Sequence, residues 1–466
     1  MISRDSILGK WLDPQAPWPV PLGIVVLFIL IAAAWFFLPH PLLMLVLGLI
    51  PFALLLVIKE AFLMVLLFVI FSFFRIHEVI PQLYNFKIPL MLSAASLITL
   101  FWHLVISQNI KLYWTKSLGL LSLFTLLVIV GLVLAANRPV AITYFMEIYW
   151  KIILMTFAVA YLTRTANDFN RANHLIAGAG ILVACVAIYN KINEIGLVEG
   201  TRVTIGRDIG SMLGDPNDLA LVLMFPASFS LSLIMTSKLS IASRLLGLVT
   251  FPLIFYAIIA TQSRGGLLGI LTIMGAIIYR HVASKTLFFG AAGVAAILLY
   301  AVAGISERAS GGAHEEGVDA SAMGRIYAWQ AAFGMALDNP LTGVGLDNFY
   351  VNYYFYSPHW DGLNHAVHST WFGVLAETGF LGLIIFIAFV TTAMLSAKST
   401  LEKVEAHVNQ LPISFYCSAQ ALLGGLAATI VSGTFLTQGF NWPIYLLSGL
   451  VIALTRATDE FLAKPK

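Results

Sequence analysis

Apolar runs of helix-spanning length recur along almost the whole chain, near residues 20–38, 41–58, 60–75, 88–107, 118–136, 139–163, 174–190, 217–236, 245–262, 264–279, 286–304, 369–396, 414–433 and 439–455. Short polar segments separate them, and the pattern predicts about 14 helices, or about 12 if the shortest runs do not cross. Lipid offers no partner for an open strand edge, and the alternating segments of roughly ten residues that mark a β-barrel are absent. The expected fold is therefore all-α, a polytopic integral membrane protein whose residues 1–466 form a single membrane domain.

Two longer polar segments break the rhythm, at residues 191–216 and 305–367. In the second, Gly311-Gly312 and Glu315-Glu316-Gly317 read as flexible. Gly324 to Leu337 reads as a short amphipathic helix with apolar positions at Ile326, Trp329, Phe333 and Leu337, stopped by Asn339-Pro340. An aromatic cluster follows, from Phe349, Tyr350, Tyr353, Tyr354, Phe355 and Tyr356 to Trp360. It suits an interfacial belt around the loop, or a surface that stacks on sugar rings or shelters a lipid-linked substrate.

Composition narrows the class. Among 466 residues, 59% are hydrophobic and 11% charged, with a mean hydropathy of +0.90, which excludes an ordinary soluble protein. The net charge of +3 is small and the basic residues are scattered, so no nucleic-acid surface is expected. Cys185 and Cys417 both lie inside apolar runs, which leaves neither a disulfide framework nor Cys/His metal spacing. Arg4 and Lys10 precede an apolar run too long for a signal peptide, so the N-terminal stretch is expected to remain as an anchor. If the N-terminus is cytoplasmic, 16 of the 26 basic residues fall in inside segments and nine outside, a bias that puts both termini in the cytoplasm. The outside group includes Arg202, Arg207, Arg264 and Arg325.

Outside arginines have escaped the topological preference and invite another explanation. Asp215 or Asn217 can cap the helix that Pro216 begins, but Arg207 has no such structural task. Arg264 sits in the tight turn Ser263-Arg264-Gly265 at the same membrane face. His368 opens an apolar run directly after the long polar loop, where a base can meet a polar acceptor. Glu377 lies nine residues further in, on roughly the opposite side of an ideal helix, and a carboxylate at that depth is costly unless paired or protonated. Its expected role is structural, bonding neighbouring helices. Two arginines and a histidine on one rim suit an anionic substrate held by its phosphates. The blander alternatives are that the arginines hold lipid headgroups or helix C-termini and that His368 merely ends a helix. A metal site built from His359, Asp361, His365 and His368 lacks ligand-spacing logic, and none is expected.

These residues resemble the O-antigen ligase and polymerase superfamily of bacterial envelope enzymes. The likeness rests on His368 followed by Glu377-x-Gly379-x-x-Gly382, on Arg207, Gly210, Pro216 and Asn217, on Ser263-Arg264-Gly265, and on Arg325, Trp329, Asn339-Pro340 and Gly343-Val344-Gly345. It covers about residues 201–382. The resemblance implies a glycosyltransferase that moves a glycan from undecaprenyl pyrophosphate to an acceptor hydroxyl, most like an O-antigen ligase acting on lipid A-core. The site would face the periplasm from a bacterial inner membrane, among membrane lipids. Polymerase and protein O-oligosaccharyltransferase are the alternatives within that chemistry, and a lipid-linked glycan flippase or transporter is the non-enzyme alternative. By that likeness His368 is the base, Arg207 and Arg264 bind the pyrophosphate with Arg325 and Arg202 as auxiliaries, and Glu377, Gly379 and Gly382 are structural. Inversion at the anomeric carbon is expected, with no cofactor and no metal, because a pyrophosphate already leaves well and needs only fixed positive charge and one base.

Overall fold

The computed structural model describes residues 52–302, 320–360 and 362–463, with a few isolated positions between 25 and 49. The expected spans at 20–38 and 41–58, the glycine-rich stretch 311–317 and Asp361 therefore lie wholly or mostly outside the described residues. Residues 1–61 and 62–466 form separate compact units. In the first, the described residues 52–59 are helical.

The chain from Ala61 onwards is a helical array. It runs through α1 (Ala61–Phe73), α2 (Ile76–Val79), α3 (Ile88–Ile106), α4 (Lys116–Leu134), α5 (Arg138–Leu162), α6 (Ala166–Ile192), α7 (Pro216–Met235) and α8 (Ile241–Ala260). It continues through α9 (Arg264–Ile278), α10 (Lys285–Val302), α11 (Ala320–Asp338), α12 (Phe349–Tyr356), α13 (Thr370–Ala406), α14 (Ile413–Gly433) and α15 (Trp442–Leu462). Eight helices among the described residues are long and apolar enough to cross a membrane, namely α3 to α8, α13 and α14. No strand occurs among the described residues, only an isolated bridge between Val198 and Arg202. The protein is an all-α polytopic membrane protein, as the apolar pattern predicts.

Local chemistry explains where the helices begin. Thr165 and Asp168 form a reciprocal capping box at the start of α6, the Thr165 hydroxyl accepting from Asp168 N at 3.2 Å and the Asp168 carboxylate from Thr165 N at 2.8 Å. Thr115 caps α4, Ser263 caps α9 and Ser369 caps α13. α7 is buried along nearly its whole length and packs against α6, α8, α9 and α14. A second group, α4, α5, α13 and α15, shares an aromatic core of Phe124, Tyr149, Phe386, Phe389, Phe440 and Tyr445. α14 touches both groups and joins them.

The polar segment before α13 is more ordered than its composition suggests. α11 spans the expected amphipathic stretch and ends at Asp338, before Asn339-Pro340. Its buried face is not the one its large apolar residues mark: Ile326, Phe333 and Leu337 are exposed, whereas Ala328, Ala331, Ala332 and Met335 are buried. Small side chains let α11 lie close to α13, and the large apolar residues are left turned away from the protein. Only Trp329 of the expected set turns inward, stacking on Phe372 at 5.1 Å and donating from Nε1 to Val367 O at 3.1 Å. The aromatic cluster is itself a helix, α12, with Phe349 and Tyr353 buried against α11 and with Tyr350, Tyr354 and Phe355 exposed.

Candidate functional site

The 339–348 turn, the break in α13 and the segment before α5 lock together beneath the loop region. Asn339 O accepts from Gly343 N at 2.9 Å, Ala376 O from Val344 N at 2.8 Å, Pro340 O from Phe380 N at 2.8 Å, and Val344 O from Ala136 N at 2.9 Å. Gly379 interrupts α13 at φ 68°, ψ −172°, and a Cβ there would stand 2.5 Å from Pro340 O. Gly343, at φ +62°, lies flat against the backbone of Ala376 and Glu377. Both positions need glycine, for positive φ and for close approach. Glu377 is 9% exposed, and its carboxylate accepts from Asp347 N at 2.9 Å and from Phe349 N at 3.4 Å. It bonds the amides that open α12 rather than a neighbouring membrane helix, because the 339–348 turn folds back to meet it. Asn348 completes the lock, its Oδ1 accepting from Asn137 N at 2.7 Å and its Nδ2 donating to Asn137 O at 3.1 Å. Gly382 packs against Thr378 and Leu127 of α4.

Above this lock, His368 occupies the residue before the Ser369 cap of α13, at φ +45°. A left-handed backbone at a non-glycine residue is strained, and such strain concentrates at working sites. The imidazole is half-buried and makes no hydrogen bond among the described residues. Burial is the largest influence on it and holds its pKa below the usual 6.5, and the Arg325 charge pushes the same way. Asp215 opposes that shift, and His365 adds to it. His368 is thus mostly the neutral base at pH 7. Arg325, on α11, and Asp215, at the start of α7, belong to its electrostatic surroundings, and a reading by sequence segments alone had given Asp215 only a capping role.

Asp215 caps α7 through Oδ1, which accepts from Asn217 N at 2.7 Å and Asp218 N at 3.3 Å, with Pro216 in the first turn. Asn217 is a junction: its Oδ1 accepts from Arg202 Nη2 at 3.1 Å and from the Ser263 hydroxyl at 2.9 Å. The start of α7 is thereby tied to the residue before Arg264, which opens α9 and is exposed. Arg207 lies on the other side of Asp215, its Cα 3.0 Å from where a Gly214 Cβ would stand. Its side chain is exposed and makes no hydrogen bond or ion pair among the described residues. Arg202 differs, being 3% exposed and donating from Nε to Thr261 O at 3.1 Å.

The segment between α14 and α15 closes the arrangement. Thr370 donates its hydroxyl to Leu436 O at 2.8 Å and accepts from Gln438 N at 3.1 Å, while Gln438 Nε2 donates to Asp218 at 3.1 Å. Gln438 is buried and its Oε1 has no partner. No sequence motif pointed to it, since a lone glutamine beside an apolar run carries no signal of its own.

The other two histidines of the segment pack against aromatic rings, although His365 is still close enough to act on His368. His359 stacks on Tyr327 at 5.1 Å, and His365 meets Tyr353 edge-on at 5.4 Å. Among the described residues no three of His, Cys, Asp and Glu gather as a metal site.

Residues 248–387 match a family model described as O-Antigen ligase, and this segment bears out the resemblance to the O-antigen ligase superfamily. The match contains Arg264, Arg325, His368, Glu377, Gly379 and Gly382, whereas Arg202 and Arg207 precede it. No curated protein matches the chain. At the level of the family, this match supports a glycosyltransferase of the O-antigen ligase and polymerase type.

Proposed function

We propose that the chain is an O-antigen ligase, transferring a glycan from undecaprenyl pyrophosphate to a hydroxyl of lipid A-core at the periplasmic face of the inner membrane. The observation that carries this reading is His368: a strained, half-buried imidazole held neutral, without a hydrogen bond among the described residues, within the influence of Arg325 and of Asp215, the cap of a helix that Asn217 ties to the residue before Arg264. In the proposed reaction the acceptor hydroxyl donates its proton to His368 as its oxygen attacks the anomeric carbon, and the glycosidic bond to the pyrophosphate breaks with inversion. Undecaprenyl pyrophosphate leaves, its added negative charge met by Arg207 and Arg264, with Arg325 assisting. Arg202 acts at one remove, holding Asn217 and Thr261 and so fixing the ends of α7 and α8. Glu377 and the glycines of the lock keep the 339–348 turn against α13.

The test is transfer by purified protein given lipid-linked glycan and lipid A-core, read as a ladder on a gel. A ladder on lipid A-core supports ligase activity. Elongated lipid-linked glycan without lipid A-core would favour the polymerase, and glycan on a protein acceptor the oligosaccharyltransferase. Movement of lipid-linked glycan between leaflets, with no new glycosidic bond, would overturn the enzyme reading.

A further inference from the structure

A cavity of about 530 Å³ has Glu78, the partner of Ser211 in the 207–214 loop, in its lining, and none of the roles given above uses it. Arg75, Lys87 and Lys151 line it, together with the carboxylates of Glu78 and Glu147. Glu78 is already engaged: it accepts from the Ser211 hydroxyl, Arg75 Nε lies 3.2 Å from it, and His77 Nε2 3.7 Å. Lys87 and Lys151 make no ion pair or hydrogen bond among the described residues, whereas Arg75 pairs with Glu78. Lys151 belongs to a membrane-spanning helix, where an unpaired ammonium is costly and marks a functional position. The same helix carries a π turn at Phe145–Tyr149, one turn before Lys151, and such turns are frequent at functional sites. Burial holds His77 below the usual histidine range, so it leaves the three cations against two carboxylates at neutral pH.

The rest of the lining is apolar. Phe68, Ile148 and Trp442 form walls, and Leu90, 57% exposed on the span α3, stands at an edge of the cavity. Met91, Ile98 and Phe101 continue that exposed face along α3, so the mouth adjoins a lipid-facing surface. A soluble anion would need no such entrance.

We propose that this cavity is a second anion site, in which Arg75, Lys87 and Lys151 hold the phosphate of a lipid substrate that enters sideways past Leu90. The chemistry is that of a lipid-borne phosphate, supplied either by the pyrophosphate donor or by the phosphates of the lipid A acceptor. Only the identity of the lipid rests on the transferase reading. Ser211, in the loop that carries Arg207, bonds Glu78 and so ties the cavity's lining to that loop.

The experiment is equilibrium binding of two probe lipids, undecaprenyl pyrophosphate and bisphosphorylated lipid A, to detergent-purified full chain. The Lys87→Gln/Lys151→Gln double variant should bind one of the two about tenfold or more weakly, as expected for lost charge-assisted contacts. Lys151→Arg should bind nearly as wild type. Lys87→Gln alone, at an exposed position, should shift binding in the same direction and guards against a misfolded double variant. The lipid that is lost identifies the source of the phosphate. Unchanged binding of both lipids by variants with wild-type melting temperatures overturns the proposal. The transferase reading fails separately, if the wild-type protein forms no new glycosidic bond from lipid-linked glycan and lipid A-core, whatever the binding data show.

Discussion

Residues 367–369 and 376–380 lie on one stretch of chain, and both leave helical backbone, yet they are built in opposite ways. At the second, Gly379 supplies the unusual φ without a side chain to object, and the backbone of Ala376 and Phe380 and the carboxylate of Glu377 all find partners on the 339–349 segment. At the first, a histidine takes φ +45° and its imidazole is left without a hydrogen bond among the described residues. The lock satisfies its polar groups and stabilises the fold. The rim accepts strain and leaves an imidazole without a hydrogen bond among the described residues, which is what the proposed site would require and a joint between helices would not.

The comparison can be broken most sharply at His368. His368→Ala should lower transfer by about 10²–10⁴-fold while leaving the melting temperature and donor binding near wild type. His359→Ala and His365→Ala should retain substantial activity, and a dead His365→Ala beside an active His368→Ala would move the base to the other histidine. Next in size are the arginines. Arg207→Ala and Arg264→Ala should each reduce transfer by about ten- to a hundredfold, with only partial recovery in the lysine variants, since a point charge cannot reproduce a bidentate grip. Arg202→Ala, only five positions from Arg207 in sequence, should instead destabilise the protein by about 1–3 kcal/mol, because buried acceptors lose their donor. Equal melting temperatures for the Arg202→Ala and Arg207→Ala variants would erase the distinction between spent and unspent arginines.

Gly343→Ala tests the lock. A methyl group there meets the backbone of Ala376 and Glu377 at positive φ, so a loss of about 1–3 kcal/mol is expected in chemical or thermal unfolding. Smaller still is the effect of pH. Burial and Arg325 favour neutral His368, so the base form persists on acidification and transfer should stay level down to the usual histidine pKa of 6.5, falling only below it. A decline centred above 6.5 would contradict the observed surroundings of the imidazole. The smallest expected effect is that of a chelator. With arginine charge facing the leaving pyrophosphate, excess chelator should leave transfer unchanged, and loss of activity restored by a divalent cation would revive the histidine-cluster alternative.

Much of the site was legible because its signals are local. His368 at the border of an apolar run, Ser263 before Arg264, and Asp215-Pro216 before a helix can be read from a few adjacent residues, since capping and hydrophobic length act within one or two turns. Which face of α11 is buried was not legible in the same way: the apolar periodicity marks an amphipathic helix, but against another helix close approach favoured alanine. Gln438 and Asp215 illustrate what lay beyond reach. Each acts on a residue more than 100 positions away, Gln438 on Asp218 and Asp215 on His368.

By itself, the sequence determined that this is an all-α protein of the membrane, where most of its helices begin and end, and which residues bear unusual charge. Those properties follow from transfer free energy and backbone capping, which depend on neighbours along the chain. Tertiary structure alone decided how that charge is used. Arg202 is consumed by Thr261 and Asn217 while Arg207 is not, Glu377 serves the amides of α12, and Arg75, Lys87 and Lys151 converge on one cavity from three separate segments. A charge is spent or kept according to which distant donors and acceptors the packing brings within hydrogen-bonding distance, and no spacing along the chain encodes that.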